Sequence, residues 1–330
     1  MRTLFLMLAL SAVEGLAPPA SAAGKADVGT TTAPFLKLAP DPRAAAMGEA
    51  FTAGADEASA IFFNPAGLAG LDHMSVQLSQ AFYVADISYQ FIGYAQPLSA
   101  LFHQFETGPG RLPDVTRLPD WGVLGLSALY VNTGSIDKVD NTGASLGSFT
   151  PSDLAASAAY ARRFGDLDLG VTAKFVESKI ASTAQTFAAD AGVRWRTTLA
   201  ERPLALAAAV RNAGGSLKYQ SEAEPLPLTV ALGSAWRPSD SVLVDLDLSL
   251  PNDNKAVVGL GAELTQPVNP DMKAAFRLGY RTLDTDAGLG GLTGLSAGAG
   301  LSFDFFRVDY AWVPFGTLGN SHRIGLTFRF

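Results

Sequence analysis

The chain has 330 residues, no cysteine and a formal net charge of −7. The missing thiols exclude disulfides, a thiolate nucleophile and zinc–thiolate sites, and the acidic balance argues against a phosphate-binding basic face and hence a nucleic-acid partner. Hydrophobic residues make up 48% of the chain, yet nowhere after Ala22 do eighteen apolar residues run uninterrupted. That excludes ordinary transmembrane helices and leaves a large soluble β-protein or a membrane barrel.

Residues 1–22 read as a secretory signal. Arg2 supplies the positive start, Leu4 to Leu10 the apolar core, Pro18 and Pro19 the break, and Ala20-Ser21-Ala22 a small-x-small cleavage site. Glu14 is atypical. The competing reading, a membrane anchor, fails because the run is too short to span. Residues 23–45 are a polar, proline-containing lead-in in which Phe35 and Leu36 are apolar enough to tuck into something.

Ala46 to Leu71 is the one compact apolar piece after the leader. Its chemistry fits two helical turns: Asp56 as N-cap of a turn through Ile61, and Asn64-Pro65 as a cap followed by a first-position proline. Gly67 and Gly70 permit tight turns or close backbone approach. Phe51, Ile61, Phe62, Phe63 and Leu68 form an apolar side that must be covered. Residues 23–71 are therefore read as a lead-in and hatch, and residues 72–330 as a barrel around them.

From His73 onward the hydrophobic period becomes two. Leu167, Leu169, Val171, Ala173 and Phe175 alternate with Asp168, Gly170, Thr172 and Lys174, and Val242 to Leu250 enclose Asp245 and Asp247. Similar alternation predicts strands at 73–82, 86–98, 121–133, 152–164, 166–178, 185–197, 203–212, 226–237, 241–250, 255–266, 271–282, 294–304, 305–313 and 321–330. That is about fourteen, an even number, as single-chain bacterial barrels have. The long polar connections 134–151 and 213–225 and the glycine-rich 283–293 then share one end, and short turns such as Gly165 share the other. Residues 99–120 break the pattern. They read as a variable insertion, a short interfacial helix with a loop, or a contact surface for a partner or the hatch.

The second face of each strand decides between soluble and membrane folds. A small soluble barrel packs its apolar face inward; an outer-membrane barrel turns it to lipid and lines its lumen with the charged face. Here Asp168, Lys174, Asp190, Arg194, Asp245, Asp247, Arg277 and Arg281 keep one parity. The reading is an all-β transmembrane antiparallel barrel with a short N-terminal helical hatch, in contact with outer-membrane lipid. Tyr160, Trp195, Tyr219, Trp236, Tyr280, Tyr310 and Trp312 suit an aromatic girdle. Terminal Phe330 suits the signal read by the barrel assembly machinery.

The segments Arg43-Ala-Ala-Ala-Met-Gly-Glu-Ala-Phe51, Ala55-Asp-Glu-Ala-Ser-Ala-Ile-Phe-Phe63 and Asn64-Pro-Ala-Gly-Leu-Ala69 resemble the PorV/PorQ family, within the wider FadL-like group of outer-membrane barrels. The specific match covers about 30 residues; the rest is a likeness of pattern. The resemblance implies a bacterial outer-membrane location, fourteen strands and a periplasm-facing N-terminus. The family pattern often places a second glycine where Glu49 stands. The PorV-like branch implies an accessory in type IX protein secretion or surface delivery that contacts a translocon or cargo protein. The FadL-like branch implies a channel for hydrophobic small molecules such as fatty acids, with the hatch shifting to admit them. Chain length fits the first branch better.

Asn64 and Pro65 are the leading functional candidates, as a ligand gate or, more plainly, as a capped turn that seats the hatch. Phe62 and Phe63 face a hydrophobic ligand or pack inside the barrel. The lumen charges form ion pairs around the hatch or a polar conduit. Gly294-Leu295-Ser296-Ala297-Gly298 matches a nucleophile elbow, but it lies in a strand with no following helix, and His73, His103 and His322 are the only histidines. No carboxylate pair or metal cluster has recognisable spacing, so neither catalysis nor a cofactor is expected.

Overall fold

A computed structural model describes residues 29–83, 87–101, 120–180, 182–219, 222–282 and 290–330. The expected signal segment, most of the 99–120 connection and most of the glycine-rich 283–293 stretch lie outside the described residues; residues 98–101 are helical.

The alternating segments form β1 (Ser75–Phe82), β2 (Ser88–Pro97), β3 (Val123–Asn132), β4 (Ile136–Val139), β5 (Ser145–Phe149) and β6 (Ser152–Phe164). They continue as β7 (Leu167–Lys179), β8 (Thr183–Leu199), β9 (Arg202–Gly214), β10 (Ser216–Tyr219), β11 (Glu222–Pro225) and β12 (Thr229–Ser239). The last are β13 (Val242–Pro251), β14 (Val257–Asn269), β15 (Met272–Arg281), β16 (Leu295–Ser302), β17 (Phe306–Pro314) and β18 (Asn320–Arg329). Fourteen of them make one closed antiparallel barrel. Each barrel strand pairs with its neighbours in the wall, and β1 closes the ring on β18 with Val76 opposite Phe328 and Leu78 opposite Leu326. Closure is what permits a sheet in hydrocarbon, because an open edge would strand its N–H and C=O groups.

All fourteen predicted strands are present. The sequence reading missed two hairpins inside the long connections, β4–β5 and β10–β11. All four strands are only four or five residues long; β4, β5 and β11 have almost fully exposed side chains, while β10 buries Leu217, so they carry little of the alternation on which strand prediction rests. Both stand at the end of the barrel where the long connections gather. The opposite end has tight turns. Ala200 and Glu201 both take positive φ there, 50° and 60°, which is the twist a two-residue hairpin needs.

The two faces of the wall separate as the charge parity required. Leu246, Leu260, Phe276, Leu278 and Leu326 point outward and are exposed, whereas Asp168, Lys174, Asp190, Arg194, Asp245, Asp247 and Arg277 are buried inside. An exposed apolar band around a charged interior is the inverse of a water-soluble barrel, and its solvent is lipid.

The interior is filled by residues 30–71. The thread starts at the long-loop end, where the Thr32 N–H donates to Pro225 O at 3.0 Å, and reaches the short-turn end before β1 begins. The first barrel strand and the final strand share the short-turn end, whereas Thr32, ahead of the hatch, bonds at the opposite one. Charged and turn-forming residues of the lead-in find loop partners there, a placement that periodicity does not encode.

Candidate functional site

The hatch consists of short turns. Pro42–Ala46 is one helical turn whose N-cap, Asp41, accepts from Arg43 N. Ala60–Phe63 is another, and its N-cap is Ser59, without a side-chain cap bond. The expected cap, Asp56, is elsewhere: its carboxylate pairs with Arg43 at 2.6 Å and with Arg237 at 3.8 Å. Two guanidiniums outbid a backbone N–H for that carboxylate, because charge-assisted bonds are the stronger kind. Asn64 and Pro65 take the anticipated local form. Asn64 Oδ1 accepts from Ala66 N at 3.1 Å, and Pro65 opens a 3₁₀ turn, Pro65–Gly70. The Asn64 amide also donates to Thr52 O at 2.9 Å, tying the two halves of the hatch together.

The wall makes room for this backbone with inward-facing glycines. A Cβ on Gly170 would lie 2.3 Å from the Pro65 carbonyl carbon, and one on Gly192 would lie 1.9 Å from Asn64 Oδ1. Gly67 is likewise a close-approach position, with Ala55 O 2.4 Å from where its Cβ would be. At the Gly48-Glu49 turn both residues take positive φ, 64° and 58°. Glu49 thus keeps the conformation a glycine favours and places its carboxylate 2.6 Å from Arg281 Nη1.

At the short-turn side the hatch is clamped by an unbroken chain of ion pairs. Arg329 and Arg307 both grip Glu57 at 2.5 Å. Arg307 also holds Asp309 at 2.5 Å, and Asp309 accepts from Arg277 at 2.7 Å. Arg277 reaches Glu263 at 2.6 Å, Glu263 accepts from Arg43 at 2.8 Å, and Arg43 returns to Asp56. Burial pushes the Glu57 carboxyl up; the Arg307, Arg329 and Arg43 charges outweigh it and hold the group at about 2. A second clamp centres on Asp168, which pairs with Arg194 at 3.0 Å and Arg163 at 3.0 Å. Arg194 spends its remaining donors on the hatch carbonyls of Ala55 and Gly67, at 2.9 and 3.2 Å. Lys174 pairs with Asp190 at 2.6 Å.

Two of the lumen charges depart from the expected ion pairs. Asp247 Oδ2 accepts from the backbone N–H groups of Phe51 and Thr52, at 2.9 and 2.8 Å, so it caps the hatch. Asp245 is fully buried and neither of its oxygens has a partner among the described residues; it packs against Gly54, where a Cβ would sit 2.1 Å from Oδ2. Sequence parity placed both carboxylates inside but could not say which would meet a backbone turn instead of a cation. Arg307 and Arg329 become hatch partners because Glu57 is threaded between them, and Arg323 lies 3.9 Å from Glu49.

On the long-loop side of the hatch lies a cavity of about 60 Å³ lined by Phe62, Phe63, Leu36, Arg211, Asn212 and Arg281 among others. Phe63 packs edge-on against Phe51 and Phe62, with ring centroids 5.4 and 5.0 Å apart. Phe51 and Leu68 are wholly buried in the hatch core. Lys174 lies 5.9 Å from the Phe62 ring centroid. Arg211 makes no ion pair among the described residues, and its Nε has no partner. The cavity thus joins an aromatic floor to one uncommitted cation. Ser296, the centre of the elbow-like motif, is in β16, and its Oγ accepts from Gly48 N at 3.1 Å. His322 faces outward on β18, hydrogen-bonded to Tyr310 at 2.8 Å.

No family model and no curated protein match the chain. Solved structures do match in fold. The Pseudomonas putida toluene transporter TodX is similar over 87% of this chain and 97% of that one, with a TM-score of 0.53 and 11% identity. A TodX deltaS2 mutant, described as a monoaromatic hydrocarbon channel, is similar over 88% and 99%, with a TM-score of 0.52 and 12% identity. A Pseudomonas aeruginosa FadL homologue is similar over 88% and 98%, with a TM-score of 0.51 and 11% identity. The chain shares the fold of these proteins, and in it fourteen strands close around residues 30–71 of the same chain.

Proposed function

We propose that this protein is a non-enzymatic channel of the bacterial outer membrane that takes up hydrophobic small molecules. The observation that carries the reading is the lumen cavity above the hatch, floored by Phe62 and Phe63 and edged by Arg211. The two rings meet a wall that is mixed, with Glu49, Asp247, Arg211 and Arg281 beside Leu36, Pro251 and Val257; small-molecule sites pair apolar surface with placed polar groups of this kind. The fold-alikes include a toluene transporter and a FadL homologue, which favours this reading over an accessory role in type IX secretion. The secretion reading, with its translocon or cargo partner, rests on the PorV/PorQ-like hatch motif and on chain length. As seated, the cavity is smaller than a benzene-sized ligand needs, since an apolar cavity of about 150 Å³ holds benzene. Transport therefore requires part of the plug to move.

The test is uptake of radiolabelled toluene and of a radiolabelled long-chain fatty acid by cells carrying the protein or its Phe62→Arg variant. Faster uptake of either molecule, lost on Phe62→Arg with assembly intact, supports the channel. Uptake no faster than in cells lacking the protein, together with recovery of a large translocon subunit from native membranes, overturns it for the secretion role.

A further inference from the structure

The outer face of the wall carries a groove over β18, β1, β2 and β3. It holds about 500 Å³ and is lined by Leu78, Ile92, Tyr130, Ile324 and Leu326, with the small side chain of Ala128 opposite Ile92. Small-molecule sites have volumes of about 300–1,000 Å³. Two glutamines interrupt the apolar band there. From strand to strand the row of cross-strand partners reads Tyr310, Ile324, Gln80, Gln90, Tyr130 and Leu154, and both glutamines line the groove. They stand two residues inside Phe82 and Ser88, where β1 ends and β2 begins. That places them about 7 Å along the strands from the long-loop end of this hairpin, at roughly 3.4 Å per residue. Short turns of such barrels face the periplasm and long loops the exterior, so this is the level at which outer-leaflet acyl chains join their headgroups.

The glutamine side chains are incompletely bonded. Gln80 Nε2 donates to Ala81 O at 3.1 Å and to Ser88 Oγ at 2.9 Å. Both amide protons are thereby used, and the Ala81 carbonyl, which can only accept, fixes which way the amide points. Gln80 Oε1 is left without a donor among the described residues. Gln90 is exposed, and its side chain makes no hydrogen bond among the described residues. Polar groups facing hydrocarbon cost free energy unless they are bonded, so the occupant of the groove must be apolar and must carry a hydrogen-bond donor.

We propose that the groove binds an outer-leaflet lipid whose acyl chains are amide-linked and hydroxylated, as in lipid A. One chain lies along Leu78, Ile92 and Leu326, and the amide N–H or chain hydroxyl donates to Gln80 Oε1, with Gln90 beside it. An ester-linked phospholipid offers only acceptors at its chain linkage and leaves Gln80 unsatisfied. A second copy of the chain fits poorly, because a two-fold axis sets a patch against itself and a groove facing a groove encloses a void. The site is on the outside of the wall and is independent of the uptake reading.

The test is native mass spectrometry of the purified full-length barrel, stripped of lipid in detergent and then given lipid A or phosphatidylethanolamine. The site requires one lipid A retained per barrel at concentrations where phosphatidylethanolamine is not retained. Gln80→Leu/Gln90→Leu, which makes the lipid face more apolar, should keep heat-modifiable migration and weaken lipid A retention at least tenfold. Ala128→Phe, which fills the groove and leaves both glutamines in place, should weaken it as well. Equal retention of the two lipids, lipid A retention unchanged in both variants, or a two-barrel species lost in the glutamine variant would each overturn the proposal.

Discussion

Glu57 is the residue whose loss should most loosen the plug. Its two oxygens are held by Arg307 at 2.5 Å each, and Oε1 also accepts from Arg329 at 2.5 Å. Replacing it with alanine leaves Arg307, whose side chain is only 5% exposed, with Asp309 as its single partner. Removing one member of a buried pair costs roughly 3–5 kcal/mol. Arg329 is partly exposed and regains water, so its share is small. Asp309 is itself shared with Arg277 and cannot compensate fully. The low end of the range, about 3 kcal/mol, is the fitting magnitude, or roughly a hundredfold in the unseated fraction of the hatch at about 1.4 kcal/mol per decade. The assay places a reporter at Ala60, which is fully buried and apolar. In Ala60→Cys protein, the rate of labelling by a water-soluble thiol reagent follows hatch opening. Adding Glu57→Ala should speed labelling by about two orders of magnitude, and Glu57→Gln by less. An unchanged rate would refute the clamp.

Four further outcomes follow from the same geometry. Gly170→Val should leave the barrel able to assemble, read as heat-modifiable migration on a gel. It should still expose Ala60→Cys to labelling, because its Cβ would meet the Pro65 carbonyl carbon at 2.3 Å. Leu246→Arg puts a cation on the lipid face at a cost of roughly 2–4 kcal/mol and should sharply reduce assembled protein. Asp245→Asn removes an unpartnered buried carboxylate and should leave assembly and heat resistance equal to or better than the parent; matching losses in the two variants would invert the face assignment. The folded Glu57 carboxyl lies near 2 against an ordinary 4.5. Its contribution to hatch seating is therefore fully present above about pH 4.5 and lost as pH falls toward 2. Labelling by a reagent that tolerates acid should stay flat from neutral pH to about 4.5 and rise below it. A rise between pH 7 and 5 would assign the clamp to another group.

The barrel was legible in the sequence because its cause is local and repeated. Each strand must show lipid one face and the lumen the other, so parity writes itself into Val242 to Leu250 or Leu167 to Phe175 residue by residue, and loop lengths then fix which turns share an end. Asn64-Pro65 was legible for a similar reason, since a capped 3₁₀ turn is made by neighbours in the chain. The site was not. Asp56 carries every local mark of a cap and is instead drawn to Arg43 and Arg237. Asp245 and Asp247 are indistinguishable by parity, yet one caps the hatch backbone and the other stands alone. The clamp at Glu57 joins residues 250 and more positions apart, and the inward glycines show their purpose only when the plug lies against them. Periodicity records which solvent a side chain meets. Which partner it meets inside a filled lumen depends on how the lead-in threads the ring, and that is settled only when the ring closes.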